Sequence, residues 1–126
     1  MSDEAAAEFE AVRERLRQVD MQLAGLEQEL AEVQRAQRTL EGLGDHAALL
    51  PIGAGLHVRA TLQGAAPVLV PIGAGYAADR DVETARTGLA TRAEQLQQLL
   101  RRVEQEAETL AGLADSLLRK LQSAPT

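Results

Sequence analysis

The sequence predicts an α+β fold: a long antiparallel α-helical coiled-coil hairpin with two central β-hairpins. Three observations lead there. Both flanks carry apolar residues at heptad spacing, the middle is nearly uncharged and rich in glycine and β-branched residues, and that middle contains one apolar-glycine motif twice. At 126 residues the chain has the length of a single domain, 1–126. Its expected parts are a first helix over 1–43, two β-hairpins over 46–79 and a second helix over 81–122. Composition argues against an ordinary globular core. Aromatic residues make up 2%, with Phe9 and Tyr76 alone and no Trp, whereas compact cores lean on several large rings. The 45% hydrophobic fraction is carried by Ala, Leu and Val, and the flanks are dominated by Ala, Leu, Glu, Gln and Arg, the composition of long helices.

In the first flank, Phe9, Leu16, Leu23, Leu30 and Gln37 fall at one seam position and Val12, Val19, Leu26, Val33 and Leu40 at the other. The alternating steps of three and four persist beyond four heptads, with Gln37 the one polar exception, and this length marks a coiled coil. Gly42, Gly44 and Asp45 then stop the helix.

The middle repeats itself. Leu50-Pro51-Ile52-Gly53-Ala54-Gly55-Leu56 recurs as Val70-Pro71-Ile72-Gly73-Ala74-Gly75-Tyr76. Each copy reads as strand, glycine turn, strand, so four short strands are expected. Isolated hairpins are marginal in water, and apolar, uncharged edges invite association, so these strands should be buried between subunits. A chain expressed alone should therefore oligomerise or aggregate.

The second helix begins with Asp81 as N-cap and Glu83 near the positive helix end. Its seam runs through Val82, Ala85, Leu89, Leu96, Leu99, Val103, Leu110, Leu113 and Leu117, interrupted by Arg92 and Glu106. A parallel stripe through Ala93, Leu100, Ala107, Ala114, Leu118 and Leu121 widens the face, enough to touch more than one neighbour. Ser123, Ala124, Pro125 and Thr126 read as a frayed tail. Helices of about 35 to 40 residues span roughly 50 to 60 Å each, so pairing their seams makes a long hairpin. Arg92 and Glu106 either set the register of that pairing or snorkel to water.

Charge and motif content exclude several function classes. The formal net charge is −6, which disfavours nucleic acid as a partner. Cysteine is absent, and the start Met-Ser-Asp-Glu lacks a basic, apolar secretory signal, which favours the cytoplasm. The longest uncharged stretch, Ala65 to Ala78, is interrupted by Pro67, Pro71, Gly73 and Gly75 and falls well short of the ~20 apolar residues of a membrane span. His46 and His57 have no thiol or carboxylate cluster to complete a metal site, so a structural or solvent-facing role is expected and no cofactor is. Ser2, Ser116 and Ser123 lie near termini or on a helix without a nucleophile elbow or placed base, and no enzyme activity is expected. The two Gly-Ala-Gly turns lack the third glycine of a dinucleotide fingerprint, and turn geometry accounts for them. Off-seam charges such as Glu27, Glu29, Arg101 and Arg102 read as a solvated face that could also recruit or repel partners.

A helix, two hairpins built on Pro-Ile-Gly-Ala-Gly and a returning helix resembles the α class of prefoldin subunits, of archaeal type; the β class has a single hairpin there. The resemblance is carried by Leu49 to Ala85, including Leu50 to Val58, Val68 to Tyr76 and the acid-rich entry Asp81-Val82-Glu83-Thr84-Ala85. The doubled hairpin motif is specific, the heptads alone are not. The resemblance implies a hexamer of two α-type and four β-type subunits whose strands join an intersubunit β-barrel. On this chain the strand residues would be Leu50, Ile52, Leu56, Val58, Val68, Val70, Ile72 and Tyr76. It further implies an ATP-independent chaperone that holds non-native polypeptides at coiled-coil tips and transfers them to a group II chaperonin. The tip residues would be Ala5, Phe9, Val12, Leu113, Leu117, Leu118 and Leu121. Apolar groups near helix ends can take up another chain's exposed surface without sequence-specific contacts. The competing assignment for Phe9, Val12 and Leu113 is completion of the hairpin seam. The competing function is a prefoldin-like scaffold that binds specific folded partners.

Overall fold

A computed structural model of the protein describes residues 2–64 and 66–123. Six elements follow in chain order: α1 (Ser2–Glu41), β1 (His46–Gly53), β2 (Leu56–Leu62), β3 (Val68–Gly73), β4 (Tyr76–Arg80) and α2 (Val82–Ser123). The residues group into two compact units. One is helical, Met1–Ala31 with Glu94–Thr126, and the other, Glu32–Ala93, holds both hairpins with the adjoining helix ends. Of the expected tail, Ala124, Pro125 and Thr126 lie outside the described residues. Ser123 instead closes α2, its hydroxyl donating to the Lys120 carbonyl at 3.4 Å.

The heptad pattern becomes burial. Every seam position of α1, Gln37 included, is buried or half-buried, and on α2 the same holds for all seam positions apart from Leu113 and the charged Arg92. Within the helical unit the two helices are the only elements, so Val19, at 0% exposure, and Leu96, at 1%, bury against the facing helix. Arg15 of α1 reaches Glu106 of α2 there, joining the early part of one helix to the later part of the other. At the first helix stop, the Gly42 N–H donates to the Arg38 and Thr39 carbonyls and the Leu43 N–H to Leu40, which satisfies acceptors the helix end leaves open.

The repeated motif folds twice into the same hairpin. In β1–β2, Pro51 pairs with His57 and Gly53 with Leu56; in β3–β4, Pro71 pairs with Ala77 and Gly73 with Tyr76. Each pairing slips by one residue at the Ile-Gly step, a β-bulge, and leaves a two-residue Ala-Gly loop. Both loop residues have positive φ, Ala54 at 51° with Gly55 at 78° and Ala74 at 53° with Gly75 at 79°. This is the primed turn whose twist matches that of the flanking strands. Glycine accepts that conformation freely; alanine holds it at a cost of roughly 1–2 kcal/mol, which the paired strands must offset. The result is two separate two-stranded sheets, β1-β2 and β3-β4.

Such a thin core concentrates its stability in few side chains. Leu96→Ala should destabilise the chain by about 2–5 kcal/mol. Met21→Ala, at a site 75% exposed on the outer side of α1, should stay within about 0.5 kcal/mol. Denaturant unfolding followed by circular dichroism at one fixed protein concentration checks both, and comparable losses at the two sites would contradict the seam.

Candidate interaction surfaces

Alternation along paired strands sorts side chains onto two faces. In the first hairpin Leu50 lies opposite Val58 and Ala48 opposite Ala60, while Leu49 lies opposite Arg59 on the other face. In the second, Val70 lies opposite Ala78 on one face and Leu69 opposite Asp79 on the other. Leu50, Ile52, Leu56, Val58, Ile72 and Tyr76 are all exposed, whereas Val68 and Val70 are half-buried. Leu49 and Leu69 are exposed as well, at 61% and 66%, although neither is among the strand residues expected from sequence. Their signal was present: Leu49-Leu50 and Val68-Leu69-Val70 are continuous apolar runs, the pattern of strands covered on both faces.

The residues expected at the helix ends come together in the helical unit, in two layers. Val12 and Leu117 are buried in the seam, Leu117 at 3% exposure. Ala5, Phe9 and Leu121 are half-buried, and Leu113 and Leu118 are exposed on either side of Leu117. The Arg13 guanidinium lies 5.7 Å from the centre of the Phe9 ring, a cation–π contact that covers part of the only phenylalanine. Farther along, Glu106 interrupts the seam but is not unsatisfied. Its Oε1 accepts from Arg15 Nη2 at 2.7 Å and Arg15 Nε at 3.0 Å, across the helix pair. Both side chains are substantially solvated, so the pair contributes about 0.2–1 kcal/mol and acts chiefly on register.

Two aspartates fix the hairpin unit. Asp81 follows β4 directly and caps α2: its Oδ1 accepts the Thr84 N–H at 2.6 Å and its carbonyl accepts the Ala85 N–H at 3.1 Å. Asp45 Oδ1 accepts the Gly64 N–H at 2.7 Å, tying the entry of the first hairpin to its exit. The backbones approach so closely there that a Cβ on Gly64 would stand 2.9 Å from the Gly44 Cα. His57 sits at the first turn, where Nδ1–H donates to the Gly55 carbonyl at 3.2 Å, a structural contact. Among the described residues no group of three or more His, Cys, Asp or Glu side chains is placed to hold a metal ion, and no helix is long and apolar enough to cross a membrane.

A helix, two bulged hairpins and a returning helix, in one order and with one repeated turn, can be set against known proteins. Residues 5–125 match the Prefoldin family, described as prefoldin subunit. This chain belongs to the prefoldin family. The prefoldin subunit alpha of Methanoculleus marisnigri is 37% identical over 106 residues, covering 82% of this chain and 71% of the relative. That of Pyrobaculum aerophilum is 34% identical over 118 residues, covering 91% and 88%. Filamentous PFD from Methanocaldococcus jannaschii, solved by cryo-EM, shares the fold with a TM-score of 0.53 at 22% identity, over 94% of this chain and 96% of that one. Prefoldins are chaperone subunits that work in oligomeric complexes with other prefoldin subunits. The α-class resemblance carried by the doubled Pro-Ile-Gly-Ala-Gly hairpin agrees with these relatives.

The cap that starts α2 is titratable. Hydrogen bonds from the Thr84 side chain and then its backbone N–H hold the Asp81 carboxyl below the usual carboxylate range. A depressed folded-state pKa means that the cap's contribution is present above the unfolded value, about 3.9, and is lost as pH falls through the folded value. Helix content at the start of α2 should therefore decline on acidification below about pH 4, and Asp81→Asn, which keeps an N-cap oxygen, should remove that component. Titration of the Asp81 carboxyl by NMR checks the direction; a midpoint above about 3.9 would contradict it.

Proposed function

We propose that residues 1–126 act as one prefoldin α-type domain, an ATP-independent holdase subunit in a cytoplasmic hetero-oligomer of two α-type and four β-type chains. In this reading the strands join an intersubunit β-barrel, and the helix ends hold non-native polypeptides for transfer to a group II chaperonin, without covalent chemistry. One observation carries it: both hairpins expose large apolar side chains that no described residue of this chain covers. Leaving such surface in water is unfavourable by about 25 cal/mol per Å², which favours its burial against other strands.

At the helix ends, the layered arrangement suggests a division of labour. Leu113 and Leu118 are the side chains a client would meet first, with Ala5, Phe9 and Leu121 beside them. Val12 and Leu117 hold the helices together under that layer and become available only as the end frays.

Light scattering of a chemically denatured, unrelated protein on dilution, without nucleotide, tests the holding activity. The chain co-purified with a β-type subunit should suppress aggregation, and Leu113→Ser combined with Leu118→Ser should remove most of that suppression while the complex stays intact. An intact complex with no effect on aggregation would favour a scaffold that binds one folded partner. Without a partner, the chain should run in size-exclusion chromatography with light scattering as an oligomer or aggregate. A stable, monodisperse monomer would overturn the platform reading.

A further inference from the structure

In the helical unit one cross-helix ion pair serves as a template for a second position that the chain leaves half-made. Glu106 occupies a seam position of α2, and its carboxylate is held at 2.7 Å by Arg15, which flanks the seam of α1. Coiled-coil geometry repeats every seven residues. In an antiparallel pair, the hairpin of this fold, a step toward the ends of this unit lowers the number on α1 and raises it on α2. Seven residues before Arg15 and seven after Glu106 stand Glu8 and Leu113.

At this outer position the carboxylate comes from α1, and the seam residue that faces it is a leucine instead of a cation. Glu8 is exposed, and among the described residues no cation pairs with it; the same holds for Glu4, one turn earlier on the same side of α1. Leu113 is 41% exposed, whereas every other apolar seam residue of α2 is buried or half-buried. Nearby cations are engaged elsewhere. Arg13 lies over the Phe9 ring and 3.5 Å from Glu10, and Arg119 pairs with Asp115 at 2.7 Å. Lys120 stands a further seven residues beyond Leu113, and among the described residues no ion pair joins it to Glu8 or Glu4.

An exposed leucine beside such a carboxylate matches the two parts of a long basic side chain. Lysine and arginine lay an aliphatic stem on apolar surface and keep the charge in water, where a neighbouring carboxylate attracts it. The surroundings have the same sign: residues 2–14 and 108–123 hold seven acidic and three basic side chains, a net −4 of the chain's −6.

We propose that Glu8 and Leu113 form one composite contact for a Lys or Arg of an unfolded client, with the stem over Leu113 and the cation at Glu8, so that the helix ends favour apolar segments that carry basic residues. The inference rests on the holding activity proposed above and deepens it by naming the chemistry of the segment held.

The test measures fluorescence anisotropy on the full chain co-purified with its β-type partner. The probe is a labelled, unstructured peptide of Gly, Ser and Leu with interspersed Lys, set against the same peptide with Gln in place of Lys. The Lys peptide should bind about two- to fivefold tighter, the scale of a solvated ion pair, and the difference should vanish in ~1 M salt. Glu8→Gln should abolish the difference while leaving the affinity for the Gln peptide unchanged. Leu113→Ser should weaken both peptides, the Lys peptide more. Glu27→Gln, an equal change of charge on α1 away from the ends, is the control: a loss as large as with Glu8→Gln assigns the effect to the overall field and overturns the contact. Equal binding of the two peptides, or a difference that survives Glu8→Gln, overturns it as well. In each of these cases peptide is still bound and the holding activity stands; no peptide bound by the intact wild-type complex would remove both.

Discussion

A two-stranded antiparallel sheet has two faces and two edges, and a chain that builds two such sheets without pairing them must leave most of that surface to others. The rest of the molecule is organised around this constraint. The helices supply the burial that the hairpins do not: Val19, Leu96, Val103 and Leu117 are shielded by helix against helix, while Leu49, Ile52, Leu69 and Tyr76 remain in water. Small anchors then hold the hairpins where they can be covered. The Asp81 cap joins β4 to α2 with no intervening loop, and the Asp45–Gly64 bond closes the base of the first hairpin. Neither anchor stabilises much apolar area, so both act on position more than on cohesion.

Much of this was legible in the sequence because the informative periods are local. Heptad steps of three and four name the seam residues directly, and a glycine-rich motif that occurs twice names the turns. Asp81 could be read as a cap because capping depends on residues one turn away. The features that escaped reading are non-local. That Glu106 meets Arg15 depends on how the two helices are staggered, which heptads leave open in steps of seven. The Asp45–Gly64 bond requires the two ends of the first hairpin to converge, and neither end signals it alone. Leu49 and Leu69 fall between these cases: their apolar runs are visible, but assigning them to an exposed second face requires the strand register.

Charge is divided as sharply as burial. The helical unit holds thirteen acidic and seven basic residues, and the hairpin unit holds six of each, so the whole formal charge of −6 belongs to the helical unit. A neutral hairpin unit lets apolar strands associate without a net repulsive field. A negative helical unit opposes association of the same kind between like copies, an effect that salt screens within about 10 Å at 0.1 M. If the helix ends hold unfolded chains as proposed, the same field discriminates among them: a strongly acidic chain would meet repulsion before it met Leu113 or Leu118, and a basic one would be drawn toward them.

The internal repeat carries the argument one step further. Identical bulges and identical Ala-Gly turns make the two hairpins geometrically alike, so any difference in what they bind must come from the residues that vary between them. Those differences are chemical. His57 and Arg59 of β2 stand where β4 has Ala77 and Asp79, counted along the paired strands from the turn. A symmetric pair of hairpins would offer a neighbour two equivalent docking positions and leave the order of subunits open. Two hairpins with one backbone shape and different charges can share an architecture while accepting different neighbours, which is what an assembly of unlike subunits requires.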